Sequence, residues 1–347
     1  MAGPDRSVTV EVIQDLPDWQ DYLRGHAEAT VYHSPLWGRV MRDAYKAAPY
    51  YLTARRDGRT VGVLQLVRQK SMLFGTHLCS LPYFDASGIL ADDESARAAL
   101  LRQAADLRKE TGAAHAEIRE MAEPTEGLPV RTDKVTMWLE IPPGRDAMWK
   151  QLKSKVRNEV RKAEKSDLEV IEGGAELVDE FHVVYARRMR DLGSPPHGRR
   201  FFRLAAEAFA NETRLWVLRH EGRAVAASFT LTDSRGFRVP WSAADARFRK
   251  LEANRLLYWH MLARAADDEA KIFDFGRSSQ DSGTYEFKEE WGAEPVPLYW
   301  TFLLPAGESL PDLRPDSPKY RMMVACWRKL PVWAARALGA RLIGKLS

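Results

Sequence analysis

The residues best suited to chemistry crowd into one stretch, Lys271–Pro297. Ile272-Phe273-Asp274-Phe275 reads as a short apolar strand. It gives way at Gly276 to a polar loop, Arg277-Ser278-Ser279-Gln280-Asp281-Ser282-Gly283, and then to Tyr285, Phe287, Lys288 and Trp291. A strand end in an α/β sheet is where ligands settle, and glycine lets the backbone approach them. The stretch therefore brings a carboxylate, a guanidinium, hydroxyls and an ammonium to one sheet edge. Asp274 is a base or an orienting partner for Arg277. Arg277 is a bidentate clamp for phosphate or carboxylate, or an ion-pair partner of Asp274. Lys288 can stabilise developing negative charge, and Tyr285 can donate a proton to a leaving group; both are expected at a strand edge. Asp-Phe-Gly is not a kinase signature here, because no His-Arg-Asp loop or Gly-rich ATP loop precedes it. The same residues also suit a plain strand and polar turn.

Other candidates lie outside this stretch. His197 sits in the loop Gly193–Gly198 before Arg199 and Arg200, where a histidine can serve as a base near neutrality. Trp241 follows Pro240 and either stacks on a sugar ring or fills the core. Tyr83, Phe84 and Asp85 offer a wall in the first half. Asp146–Ser166 reads as one basic helix, either a solvated face or a surface for a phosphorylated ligand. From Lys319 to Ser347 there are seven Lys/Arg and no Asp/Glu, interleaved with Trp327, Leu330, Trp333, Leu338 and Leu342. Such a tail reads as a membrane-surface anchor, or as a helix docked on the protein's own core.

Composition narrows the class. The net charge of +4 over 347 residues is too small to argue for or against a nucleic-acid partner. Two distant cysteines exclude a disulfide scaffold and a cysteine zinc site, and fit a reducing, cytoplasmic compartment. Eight histidines without HxxxH or HExxH spacing give no metal expectation. The opening MAGPDRSVTVEV lacks a secretory pattern, and no apolar run approaches a membrane span.

The elements that position these residues repeat. In each half a strand is followed by helix, a hairpin of strands, a helix and a further strand, with hairpin turns at Asp57-Gly58 and Glu221-Gly222. This predicts an α/β protein with two tandem domains of mixed sheet, residues 1–141 and 142–310, the break falling at Pro142-Pro143-Gly144, and a tail over 311–347.

Met189–His197, Val239-Pro240-Trp241-Ser242, Asn254–Trp259, and above all Phe273–Ser278 with Gly283–Lys288 and Trp291–Glu294 resemble the FemAB-like branch of the GNAT N-acyltransferases. Within it the chain is most similar to the subgroup associated with exosortase (PEP-CTERM) and exopolysaccharide loci. The resemblance covers roughly Val31 to Leu304 and implies tandem GNAT-like (acyl-CoA N-acyltransferase) domains. It implies transfer of an acyl or aminoacyl group to an amine or hydroxyl; with the anchor-like tail, the expected reaction is acyl transfer to an amine, an amino sugar of a cell-envelope or exopolysaccharide precursor or its lipid-linked form, by a cytoplasmic protein peripheral at the inner membrane. It carries a catalytic role to Lys288 in Tyr-Glu-Phe-Lys, beside the acceptor phosphate and oxyanion, with the Phe287 and Lys288 backbone as a donor pair. Acyl-CoA is the implied co-substrate. Its pyrophosphate would meet Arg249, Lys250 and Asn254 at a helix start, although the glycines usual there are missing. Two readings stand beside this one: aminoacyl transfer from charged tRNA, for which the chain lacks the long helical hairpin, and a catalytically inactive scaffold.

Overall fold

The computed structural model describes residues 7–13, 17–71, 75–280, 282–310 and 318–346. Asp281 of the central loop, the first six residues and the start of the tail, 311–317, lie outside these. The described residues divide into two units, one within Met1–Thr132, Leu298–Asp312 and Gly344–Ser347, the other within Asp133–Pro297 and Leu313–Ile343.

The first unit holds β1 (Thr9–Ile13), α1 (Pro17–Gly25), α2 (Leu36–Tyr45), β2 (Ala48–Arg56), β3 (Arg59–Ser71), β4 (Gly75–Cys79), β5 (Leu90–Ala91), α3 (Glu94–Glu110), β6 (Ala116–Glu120) and β7 (Val130–Arg131). The second holds β8 (Lys134–Glu140), α4 (Arg145–Gln151), α5 (Ser154–Glu164), β9 (Glu169–Gly173), α6 (Val178–Leu192), α7 (Arg199–Ala208), β10 (Thr213–His220), β11 (Arg223–Asp233), β12 (Gly236–Ala244), α8 (Ala253–Asp267), β13 (Ile272–Ser279), α9 (Gly283–Glu290) and β14 (Glu294–Pro297). The chain then gives β15 (Tyr299–Leu303) to the first unit and ends in α10 (Pro318–Arg328) and α11 (Val332–Leu346).

Among the described residues the sheets run β1-β2-β3-β4-β6-β15-β7, with β5 on β3, and β9-β10-β11-β12-β13-β8-β14. Place for place the orders match. Each has two helices between its first two strands, then a hairpin, then a helix crossing to a parallel strand. The hairpins β2–β3 and β10–β11 turn alike, at Asp57 (φ 51°) and Gly58 (φ 77°) and at Glu221 (φ 48°) and Gly222 (φ 72°), as a right-twisted two-residue turn requires.

The domain boundary differs from the one read in the sequence. Strand β8 precedes Pro142 yet pairs with β13 and β14 of the second sheet, and β15 pairs with β6 and β7 of the first. A local composition break cannot reveal an edge strand supplied from a neighbouring segment. Two elements also differ. The basic helix splits into α4 and α5 at Leu152, whose extended backbone (ψ 142°) carries a buried side chain into the core. The polar loop after Phe275 continues as strand to Ser279, and Tyr285, Phe287 and Lys288 lie on α9 rather than at a strand edge.

In the second unit one sheet face packs Phe237, Val239, Phe273 and Phe275 against Met148, Val156, Val160, Leu257 and Met261 from α4, α5 and α8. The other face buries an aromatic group of Phe181, Phe202, Phe229 and Trp241 under α6 and α7. In the first, α3 packs Leu100, Ala104 and Leu107 against Leu52, Leu64 and Leu66.

Candidate functional site

Strands β12 and β13 run parallel for three rungs, Gly236–Ile272, Phe237–Phe273 and Arg238–Asp274. Beyond them no further pairing joins the two strands among the described residues, though β12 continues to Ala244 and β13 to Ser279. The cause lies in two bulges at the same level. In β12, Val239 and Pro240 face one residue of β11 between the pairs Arg238–Leu231 and Trp241–Phe229. In β13, Phe275 and Gly276 face one residue of β8 between Asp274–Trp138 and Arg277–Thr136. A bulge bends its strand and raises its twist; Pro240 has no N–H for a ladder. Gly276 takes φ 76°, and a Cβ there would lie 3.0 Å from the Val239 carbonyl oxygen. The strands part, leaving a notch with one side of β12 unpaired.

The last rung is locked by charge. Asp274 is buried and accepts from the Thr136 hydroxyl at 2.6 Å, an Arg238 guanidinium N–H at 3.2 Å and the Gly276 N–H at 2.8 Å. Arg238 also pairs with Asp233 at 2.8 Å. Asp274 thus braces the bulge, and its arginine is Arg238, not Arg277. With its oxygens engaged by three donors, it is not placed as a free base.

Lys288 locks the other side. Its buried ammonium donates to the carbonyl oxygens of Gly276 at 2.7 Å and Arg277 at 2.9 Å. A neighbouring strand would normally satisfy such groups; here a side chain does so and holds β13 in its bulged course. Helix α9 aims it. The Ser282 hydroxyl accepts the Tyr285 N–H at the N-cap, and Gly283–Glu290 then places Lys288 back over β13. Because Phe287 and Lys288 lie inside this helix, their N–H groups belong to its ladder and do not form the donor pair that the resemblance implied.

The remaining candidates scatter. Arg277 is exposed on β13, and the next residue, Ser278, is 3% exposed with a hydroxyl that has no hydrogen-bond partner. Such a group calls for a ligand or water. Tyr285 is half-buried at the start of α9, and Phe287 packs edge-on against Tyr258 at 5.1 Å. The structure adds Tyr258 and Ser242. Burial pushes the Tyr258 hydroxyl up to about 12, a hydrogen bond ties it to Ser242 in the part of β12 beyond the last rung with β13, and Ser228 on β11 donates to Ser242 at 2.7 Å. The Asn254–Trp259 run carried Tyr258 in the sequence, but nothing there tied it to Ser242.

His197 and Trp241 are core residues. His197 is 5% exposed, stacked on Phe201 at 4.8 Å and edge-on to Trp241 at 6.0 Å. Desolvation, with nearby His182, pushes its imidazole down to about 3, so it stays neutral and does not act as an exposed loop base. The bulge explains Trp241. Phe237 and Val239 face α8, but the extra residue flips the alternation and sends Trp241 into the α6–α7 aromatics.

At the entry to α8, Arg249 and Lys250 are exposed and Asn254 is half-buried in the first turn. Glu252 caps this helix with φ 55°, the left-handed conformation that glycine favours. The chain therefore keeps a glycine-like turn without glycine. Among the described residues no group of three or more His, Cys, Asp or Glu could hold a metal ion, and no helix is long and apolar enough to cross a membrane.

Residues 150–289 match the acetyltransferase (GNAT) domain family. Among solved structures the chain is similar to FemX at 14% identity, covering 91% of this chain and all of that one with a TM-score of 0.65. A protein of unknown function from Bacteroides thetaiotaomicron matches at 13%, covering 85% and 99%, with a TM-score of 0.58. A tandem GNAT protein from the clavulanic acid biosynthesis pathway matches at 13%, covering 85% and 97%, with a TM-score of 0.53. No curated protein matches in sequence. At these identities the likeness is one of fold, and the fold is tandem GNAT-like, two mixed sheets with helices on their faces. The domain match supports an acyltransferase, and domains of this kind generally take acyl-CoA as co-substrate.

Proposed function

We propose that the chain transfers an acyl group from acyl-CoA to an amine, with donor and chemistry in the second unit and an amino sugar of a cell-envelope or exopolysaccharide precursor as acceptor. The observation that carries this reading is the notch between β12 and β13. An unpaired strand side accepts an extended ligand by main-chain hydrogen bonds, which suits the amides of a pantetheine arm lying along β12. The pyrophosphate would meet Arg249, Lys250 and the N-terminal turn of α8, where the helix dipole and unsatisfied N–H groups favour anions. The amine attacks the thioester carbonyl, the new C–N bond forms as C–S breaks, the thiolate takes a proton, and the proton that the nitrogen sheds restores the donor. Tyr285, in the first turn of α9, is the proposed donor of that proton, while Tyr258 fixes Ser242 in the part of β12 that has parted from β13. Ser278, whose hydroxyl has no partner among the described residues, faces the substrate in this reading, with exposed Arg277 beside it on the acceptor's side. Lys288 is a positioning residue that keeps the notch open.

Calorimetric titration with acetyl-CoA and a longer acyl-CoA, beside a charged tRNA, tests the donor class. Saturable acyl-CoA binding that weakens more than roughly tenfold when Arg249 and Lys250 become alanine is the expected result. Binding of charged tRNA alone would replace acyl-CoA by an aminoacyl donor, and binding of neither would leave a scaffold.

A further inference from the structure

We infer that α10 and α11 dock the protein on an anionic lipid surface, through the face they turn away from the second unit. Docking of these helices on the protein and docking on a membrane were alternatives in the sequence; the structure assigns them to opposite faces of one element. The inner face is small and specific. An Arg190 guanidinium N–H donates to the Leu330 carbonyl at 3.1 Å, and Arg328 donates to that of Leu192 at 3.4 Å. Val324 packs against Gly193, Gly339 against Pro196, and Ala334 and Ala335 are buried.

The outer face is apolar and basic together. Seven large hydrophobic residues are exposed among those described, and four of them lie here: Trp333 at 74%, Met322 at 63%, Leu338 at 42% and Met323 at 41%. Four of the seven falling on two helices of a 347-residue chain is a concentration rather than an even spread. Arg321, Lys329 and Arg341 are exposed on the same two helices and the turn between them, and no acidic residue occurs from Lys319 to Ser347.

Charge selects the occupant. A second copy would bring the same exposed Arg321, Lys329 and Arg341 to this face and repel it. A nucleic acid would take the cations but leave Trp333 and the methionines in water. An anionic bilayer takes both, with cations on the headgroups and the tryptophan and methionine side chains at the acyl boundary. The inference is independent of the acyl-transfer reading.

The two cysteines provide the test, since Cys326 on α10 is exposed and Cys79 is buried. An environment-sensitive dye on Cys326 of the full chain should shift to the blue with phosphatidylglycerol–phosphatidylcholine vesicles, and not with phosphatidylcholine alone. Added salt should reverse the shift. Lys329→Gln and Arg341→Gln should each weaken vesicle binding about fivefold, and Trp333→Ala roughly tenfold, with calorimetric acyl-CoA binding unchanged. No dye shift on anionic vesicles, an equal shift on neutral ones, or vesicle binding that survives the triple variant would overturn the inference. So would a dimer in sedimentation that Trp333→Ala splits, or a dye shift produced by RNA in place of vesicles.

Discussion

The parallel pairs β4–β6 and β12–β13 hold the same place in the two sheet orders, yet their ends part differently. In the second unit both strands bulge beyond Arg238–Asp274 and one side of β12 stays open. In the first, pairing stops after Leu78–Ala116 and Cys79–Glu117, and the loop from Ser80 to Ile89 turns back onto β6. The Ser80 N–H donates to the Glu117 carbonyl and the Ser87 N–H to that of Arg119, both at 2.9 Å; the Ser80 hydroxyl accepts the Arg119 N–H at 3.0 Å. The Glu120 carboxylate accepts the Ile89 N–H at 3.0 Å and holds Arg97 through two bonds of 3.0 and 2.7 Å. One fold thus ends one strand pair in a plug and the other in a notch. Of these two strand ends, among the described residues, it is the notch that leaves backbone for a ligand, and in the proposed reaction the first unit would keep a structural or acceptor-positioning part.

The sharpest way to break this contrast is to damage the plug. Arg97→Ala strands Glu120, 3% exposed, as an uncompensated buried charge, at a cost of roughly 3–5 kcal/mol. Urea unfolding should show that loss, while calorimetric affinity for acyl-CoA stays unchanged under folding conditions. Weakened donor binding would mean that the first unit also holds donor. Lys288→Ala is the converse experiment. It leaves two carbonyls without their donor, costing about 1–3 kcal/mol, and lets β13 relax toward β12. Coenzyme A release should fall by a factor of roughly 100 if the notch is the reaction site, the cost of misplacing a reacting group by about 1 Å. A variant that folds and turns over normally would separate the bulge from catalysis.

Much of this contrast was legible in the sequence and some was not. The duplicated order and the hairpins at Asp57-Gly58 and Glu221-Gly222 follow from periodicity and turn chemistry, which are local; the weight on Phe273–Lys288 comes from its residue types and from the resemblance. The partner of Asp274 was not legible, because Arg238 reaches it across a rung that exists only once the sheet forms. Nor was the face of Trp241, since one bulge residue reverses strand parity. His197 looked accessible beside Pro195, Pro196 and Gly198, but burial among aromatics depends on helices distant in sequence. The exchange of β8 and β15 left no local mark at all.

A smaller perturbation probes the bulge alone. Gly276→Ala places a Cβ 3.0 Å from the Val239 oxygen at φ 76°, a conformation costing an L-residue about 1–2 kcal/mol. Donor affinity should fall roughly tenfold if that strain is borne by the notch. Gly58→Ala, also at positive φ (77°) but with open space around it, should lose stability without losing donor affinity.

The mildest effect is one that the two units share. Each buries a pair of histidines that desolvation lowers: His77 and His115, stacked at 5.1 Å, in the first, and His182 and His197 in the second. Desolvation lowers all four, His77 and His182 to about 4 and His197 to about 3. Below pH ~6.5 the unfolded chain therefore binds protons that the folded chain refuses, and stability falls with acid until the folded values are reached. The slope is roughly 1.4 kcal/mol per pH unit for each such histidine. Urea midpoints at pH 7 and pH ~5.5 should drop accordingly, and His197→Phe, which keeps an aromatic ring beside Phe201, should remove one histidine's share. Because both units carry this weakness and only one carries the notch, acid loss of activity should track unfolding. A fall in turnover at a pH where the urea midpoint has not moved would instead point to a titrating group in the notch itself.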